Sequence, residues 1–109
     1  MSEQALVRSI VDALNLLSGV RAMRLQSGMV KVRNGFMHLC EPGTPDILVM
    51  LRGGHVAWIE CKAPKGVNEK SQPIWHEMAA KMGHSVRVVR DTQSAISFVR
   101  EMQGLRGAA

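Results

Sequence analysis

TPDILVMLRGGHVAWIECK, residues 44–62, is the stretch that decides the fold. Two apolar runs, Ile47 to Leu51 and Val56 to Ile59, flank Arg52-Gly53-Gly54. Continuous runs of this length suit strands buried on both faces, and the paired glycines mark the turn between them. Three charges interrupt the pattern. Asp46 opens the first run, and Glu60 and Lys62 close the second. Burying an unpaired charge costs several kcal/mol or more, so these side chains need one another or a bound ion. Glu60 and Lys62 are two apart on a strand and share a face.

Whether Asp46 joins them depends on the turn. A two-residue loop, Gly53-Gly54, pairs Asp46 with Cys61 and puts the carboxylates on opposite faces. A three-residue loop, Arg52-Gly53-Gly54, pairs Leu51 with His55 and so Asp46 with Glu60. A five-residue loop pairs Asp46 with Lys62. Any odd loop makes the three co-facial, and three-residue loops with a left-handed glycine are common. The expectation is an odd loop or a compensating bulge. Two carboxylates on one face can hold Mg²⁺, which prefers oxygen ligands. A neighbouring lysine can orient water and offset charge developing in a transition state. These residue types match the needs of phosphodiester hydrolysis, in which such an ion polarises the phosphoryl oxygen.

Outward from the hairpin, Leu6, Val7, Ile10, Val11, Leu14 and Leu17 recur at helical spacing, predicting a helix over 3–17 with Ser2 as N-cap and Gly19 as stop. Glu3 falls in the same stripe, which aims a carboxylate at whatever the helix packs on. Residues 20–26, 29–33 and 36–40 read as short strands or one bent hairpin, with Ser27-Gly28 and Asn34-Gly35 as turns. Glu41 to Pro45 forces an irregular extended loop. Beyond the central hairpin, a helix is expected from Ser71 or Gln72 to Met82, with Pro73 in its first turn. A strand over 85–90 and a helix capped by Asp91 or Thr92 follow, and Gly104 to Ala109 should fray. The predicted order is α-β-β-β-β-β-α-β-α, an α/β (α+β) mixed sheet with helices packed against it. One domain over 1–104 accounts for the 109 residues.

The chain carries 14 Lys and Arg against 9 Asp and Glu, a net charge of +5, which favours a polyanionic partner such as nucleic acid. The cations form no tail or block. With no tyrosine and two phenylalanines, the core is expected to rest on Leu, Ile, Val, Met and Ala. The eight methionines suggest an adaptable core and an apolar surface for self-association. Cys40 and Cys61 form no CxxC pair and read as free thiols in a reducing compartment. The four histidines lack zinc spacing. Trp58 and Trp75 read as core residues rather than base-stacking platforms. No signal-like N-terminus or membrane-length run is present, so the expectation is a soluble cytoplasmic protein with no membrane partner and no small-molecule cofactor.

Thr44-Pro45-Asp46, followed after an apolar hairpin by Glu60-Cys61-Lys62, resembles the PD-(D/E)XK nuclease signature. Glu3 in the first helix, Gly43 before the motif, Ala63-Pro64 and Gly66 after it, Gln72 before Trp75, and Gly83 before a Val-rich strand are similar to the VRR-NUC (virus-type replication-repair nuclease) branch. The resemblance covers nearly the whole chain; Pro73 beside Gln72 departs from it. It implies a restriction-endonuclease-like core and dependence on Mg²⁺ or Mn²⁺. Asp46, Glu60, Glu3 and the backbone carbonyl of Cys61 would be the metal ligands. Lys62 would be the catalytic lysine, and Gln72 would line the site. Thr44, Lys65 and Lys70 are the candidate DNA contacts. Stand-alone members are similar to Holliday-junction resolvases and tend to form homodimers acting on branched DNA, in a viral or phage setting. The alternatives are a less selective flap, nick or single-strand nuclease, and a DNA-binding module without catalysis.

Overall fold

The computed structural model describes residues 1–26, 28–64 and 71–107. Its elements are α1 (Glu3–Leu14), β1 (Val20–Arg24), β2 (Met29–Val32), β3 (Gly35–His38), β4 (Ile47–Leu51), β5 (His55–Cys61), α2 (Ser71–Lys81), β6 (Val86–Val89) and α3 (Thr92–Gly107). Their order is the one expected from the sequence. Four strands form a mixed sheet in the order β1-β4-β5-β6, with β5 and β6 parallel and the other neighbours antiparallel. Strands β2 and β3 form a separate hairpin.

The β4–β5 connection is the three-residue loop. Leu51 pairs with His55 and Ile47 with Ile59, so continuing the register sets Asp46 opposite Glu60. Gly53 and Gly54 have φ of 100° and 89°, a left-handed backbone that side chains resist. A Cβ at Gly53 would also stand 3.0 Å from His55 Nε2.

Side chains alternate along these strands, which sorts the sheet into two unlike faces. On one, Ala22, Ile47, Val49, Leu51, Ala57, Ile59, Cys61 and Val89 pack with Leu6, Val7, Ile10 and Leu14 of α1 and Ala95, Phe98 and Val99 of α3. On the other, α2 is anchored where Trp75 meets Trp58 edge-on, with ring centroids 5.0 Å apart. The rest of that face is open: Met50 and Val88 are exposed, and Leu48, Val56 and Val86 only half-buried. The expectation of strands buried on both faces is therefore wrong for β4 and the start of β5. An unbroken apolar run cannot reveal that one of its faces lacks a cover. Of the residue types expected in the core, Leu, Ile, Val and Ala are there, but methionine contributes only Met102 at its edge. All eight methionines are exposed or half-buried, and Phe98, less than 2 % exposed, is the largest fully buried side chain.

Helix α1 starts as expected, with Ser2 Oγ accepting from the Ala5 N–H at 3.1 Å. It stops at Leu14, short of Leu17. There Asn15 turns from the helix and bonds the backbone of Ala22 twice, its amide donating to the carbonyl at 3.1 Å and its oxygen accepting from the N–H at 2.7 Å. This latch fixes the entry into β1. The β2–β3 turn is Arg33-Asn34, because Val32 pairs with Gly35; Asn34-Gly35 was one residue out. Asp91 caps α3 through the Ser94 N–H at 2.7 Å, a bond that holds its carboxyl below the usual range. Helix α3 runs on to Gly107, past the expected fraying point at Gly104. Among the described residues no helix is long and apolar enough to cross a membrane.

Candidate metal centre

At the β4 start and β5 end, the open sheet face gives way from apolar to acidic. The Glu41 to Thr44 turn delivers Asp46. Thr44 N–H and Oγ1 both donate to the Glu41 carbonyl, at 3.1 and 2.6 Å. Pro42 and Gly43, the latter with φ of 90°, suit the central positions of a type II turn. Pro45 is fully buried, which fixes the chain as it enters the strand. The Asp46 carbonyl accepts from the Leu25 N–H at 2.7 Å. Its side-chain Oδ2 accepts from the Cys61 N–H at 2.8 Å. Asp46 thus ties both neighbouring strands together while its carboxylate faces Glu60.

Glu60 is 1 % exposed. Its Oε2 accepts from Gln72 Nε2 at 2.9 Å and lies 3.7 Å from Lys62 Nζ, itself almost fully buried. Its other oxygen, Oε1, is buried without a hydrogen-bond partner among the described residues. Burial, then the charge and hydrogen bonding of Asp46, push the Glu60 carboxyl up to about 8; Lys62 opposes the shift and Glu3 adds to it. Two abutting carboxyl groups hydrogen-bond only when a proton lies between them. With both ionised, Oε1 is a buried acceptor lacking a donor, an arrangement relieved by a proton or a cation.

Glu3 completes the acidic group. One oxygen from each of Glu3, Asp46 and Glu60 lies within 4.8 Å of the others. Glu3 is exposed rather than part of the buried stripe. Three carboxylates, one carrying an orphaned buried oxygen, suit a hard divalent cation such as Mg²⁺ or Mn²⁺. Cys61 turns its side chain into the core, where burial pushes the thiol up to about 12. Only its backbone borders the acids.

These groups line a cleft of about 400 Å³, with Thr44 on its rim and Met29 and His38 of the β2–β3 hairpin forming one wall. Lys65 and Lys70 lie outside the described residues. Pro73 sits in the first turn of α2, where a missing N–H costs nothing, and leaves Gln72 aimed at Glu60. Sequence reasoning missed His76, four residues after Gln72 on the same face of α2. Burial and the Lys62 charge lower its pKa, and its Nε2 is buried. The i,i+4 spacing from Gln72 was the available signal. The hairpin wall was missed as well, since nothing local in residues 29–38 reports what they overhang.

A solved structure described as a VRR-NUC domain matches 89 % of this chain and 89 % of its own, with a TM-score of 0.57 and 21 % sequence identity. The chain has the VRR-NUC fold. No protein-family model and no curated protein matches its sequence. The likeness to that VRR-NUC domain is therefore one of architecture. The arrangement of the acids within the VRR-NUC fold rests on the geometry above.

Proposed function

We propose that the chain is a divalent-metal-dependent DNA endonuclease, hydrolysing phosphodiester bonds at Asp46, Glu60 and Lys62. The observation that carries this reading is the buried carboxylate of Glu60. It stands beside two further acids and a buried lysine, with one oxygen left without a donor among the described residues. A fold that seals its other sheet face with hydrocarbon keeps this charge group at a cleft. Asp46, Glu60, Glu3 and the Cys61 carbonyl would hold Mg²⁺ or Mn²⁺. When bound, such an ion supplies Lewis-acid polarisation of the phosphodiester and a source of hydroxide near neutral pH. Gln72 fixes Glu60 Oε2 and so sets the rotamer of the carboxylate. Lys62 offsets the charge that builds on the phosphorane-like transition state and orients the attacking water. Thr44, with Lys65 and Lys70, would meet the phosphate backbone, in keeping with the net charge of +5.

The preferred substrate in this reading is branched DNA such as a Holliday junction, cut by a homodimer. A chain of this size has little surface for reading base sequence, which leaves shape and phosphate contacts to select the substrate. The open apolar sheet face supports pairing. Leu48, Met50, Val56 and Val88 carry no charge, and Ile74, Met78 and Met82 line one side of α2 with Ile74 71 % exposed. Arg21, opposite Met50 on β1, sets a charge at the edge of this face; the apolar surface between it and α2 suits a second copy of this chain better than a polyanion, and a two-fold dimer would present two clefts. The test is cleavage of end-labelled four-way junctions, flaps, nicked and linear duplexes with Mg²⁺ or Mn²⁺, beside light scattering of the free protein. Junction cleavage by a dimer supports the reading. Faster cleavage of flaps or single-strand ends favours a less selective nuclease, and no cleavage of any DNA refutes catalysis.

A further inference from the structure

All eight residues of the β2–β3 hairpin are exposed. Met29 and Val30 on β2, and Phe36 and Met37 on β3, present apolar surface to water. Cross-strand pairing and the two-residue period sort them by face. Met29 lies opposite His38 and Lys31 opposite Phe36, and these four share one face. Met29 and His38 form a wall of the acidic cleft. Lys31 and Phe36 therefore continue that wall outward, beyond its rim.

Phe36 is unusual in this chain. The aromatic residues are two tryptophans and two phenylalanines. Trp75 and Phe98 are buried, Trp58 is half-buried, and Phe36 is 69 % exposed. Directly across from it stands a lysine. Arg33 is in the turn, and residues 25–40 contain no acid. An aromatic face next to cations is the combination that binds an exposed nucleobase and its phosphate.

We infer that Phe36 and Lys31 form a base-stacking clamp at the cleft mouth that selects DNA with an unstacked base. Phe36 stacks on a base freed at a branch, and Lys31 holds the adjoining phosphate. A linear duplex hides its base faces inside the stack, so it meets Lys31 but not Phe36. This inference rests on the reading of the cleft as a DNA site and adds to it the residue that discriminates among DNA structures. The hairpin lies on the cleft side and is charged, which assigns it to DNA rather than to a second copy.

The test reads binding separately from cleavage. Affinities for a four-way junction and a linear duplex are measured in EDTA, with 2-aminopurine at the branch as a stacking reporter. Phe36→Ala is expected to weaken junction binding about ten-fold, to leave duplex binding unchanged, and to remove the 2-aminopurine response. Phe36→Trp should restore all three. Lys31→Ala should weaken both substrates alike and flatten the salt dependence by about one unit of slope. Equal effects of Phe36→Ala on both substrates, or no effect, overturn the inference. So does conversion of a dimer to a monomer by Phe36→Ala without DNA, since the ring would then be a subunit contact. A protein that binds junctions through Phe36 yet cuts nothing refutes the nuclease reading and leaves the clamp standing; one that binds no DNA refutes both.

Discussion

Strand β5 belongs to two different environments at once. Its odd-numbered core residues, Ala57, Ile59 and Cys61, are 0 % exposed under α1 and α3. The alternate residues Trp58 and Glu60, with Lys62 just past the strand's end, face a side that α2 covers only in part. One face supplies stability by removing hydrocarbon from water. The other holds charges at a cleft and leaves apolar surface open. The seven residues of β5 can carry both tasks because neighbouring side chains never share a face. A rigid strand anchored by its sealed side can hold repelling carboxylates on the other.

Substitutions on the two faces should therefore act in opposite directions. On the sealed side, Ile59→Ala leaves a cavity among α1, α3 and β4 and should cost about 2–5 kcal/mol, read by urea denaturation. A loss below about 1 kcal/mol would mean that this face is not the core. On the acidic side, at pH 8.5, above the range in which Glu60 keeps its proton, Glu60→Gln removes a buried charge beside Asp46 and Glu3. It should raise the melting temperature of the metal-free protein by several degrees. A lower melting temperature would show that the acids are held in a self-satisfied network instead.

The same acid predicts a pH dependence. The unfolded chain releases the Glu60 proton near 4.5, whereas the folded protein retains it up to about 8. Between these values the folded state binds more protons, so this group makes metal-free stability fall as pH rises, with the loss complete above about 8. A divalent cation replaces the proton. The rise in melting temperature on adding Mg²⁺ should therefore be larger at pH 8.5 than at pH 6 and absent in Glu60→Gln. The smallest effect is expected at the open apolar end. Met50→Ser should change monomer stability by no more than about 0.5 kcal/mol, while shifting a dimer toward monomer in light scattering. A large loss of monomer stability would place Met50 in the core after all.

The sequence was most informative where periodicity and chemistry constrained each other. The demand that Asp46, Glu60 and Lys62 share a face selected an odd loop, and Arg52-Gly53-Gly54 forms one. The family resemblance implied only that Gln72 lines the site, with Pro73 as a departure; in the structure Gln72 reaches Glu60, because a first-turn proline is compatible with helix. What escaped was non-local. The end of α1 at Leu14 depends on Asn15 reaching Ala22, which no helical pattern encodes. Ile47 to Leu51 read as doubly buried because hydrophobicity does not say whether a partner covers it. Methionine was assigned to the core by its apolar character, yet only Met102 packs against the core's edge, and Met29, Met37, Met50, Met78 and Met82 lie exposed on the hairpin, the open face and α2. The hairpin's place over the cleft required the sheet order, which brings residues 29–38 to the acids.

The most direct measurement is cleavage of an end-labelled four-way junction by the wild-type protein and by Asp46→Ala, each with Mg²⁺ and with EDTA. The wild type is expected to cleave with Mg²⁺ alone, and Asp46→Ala to lose at least about a thousand-fold in rate at unchanged junction binding. Cleavage that survives EDTA, or that Asp46→Ala leaves intact, would contradict a metal-dependent centre at Asp46.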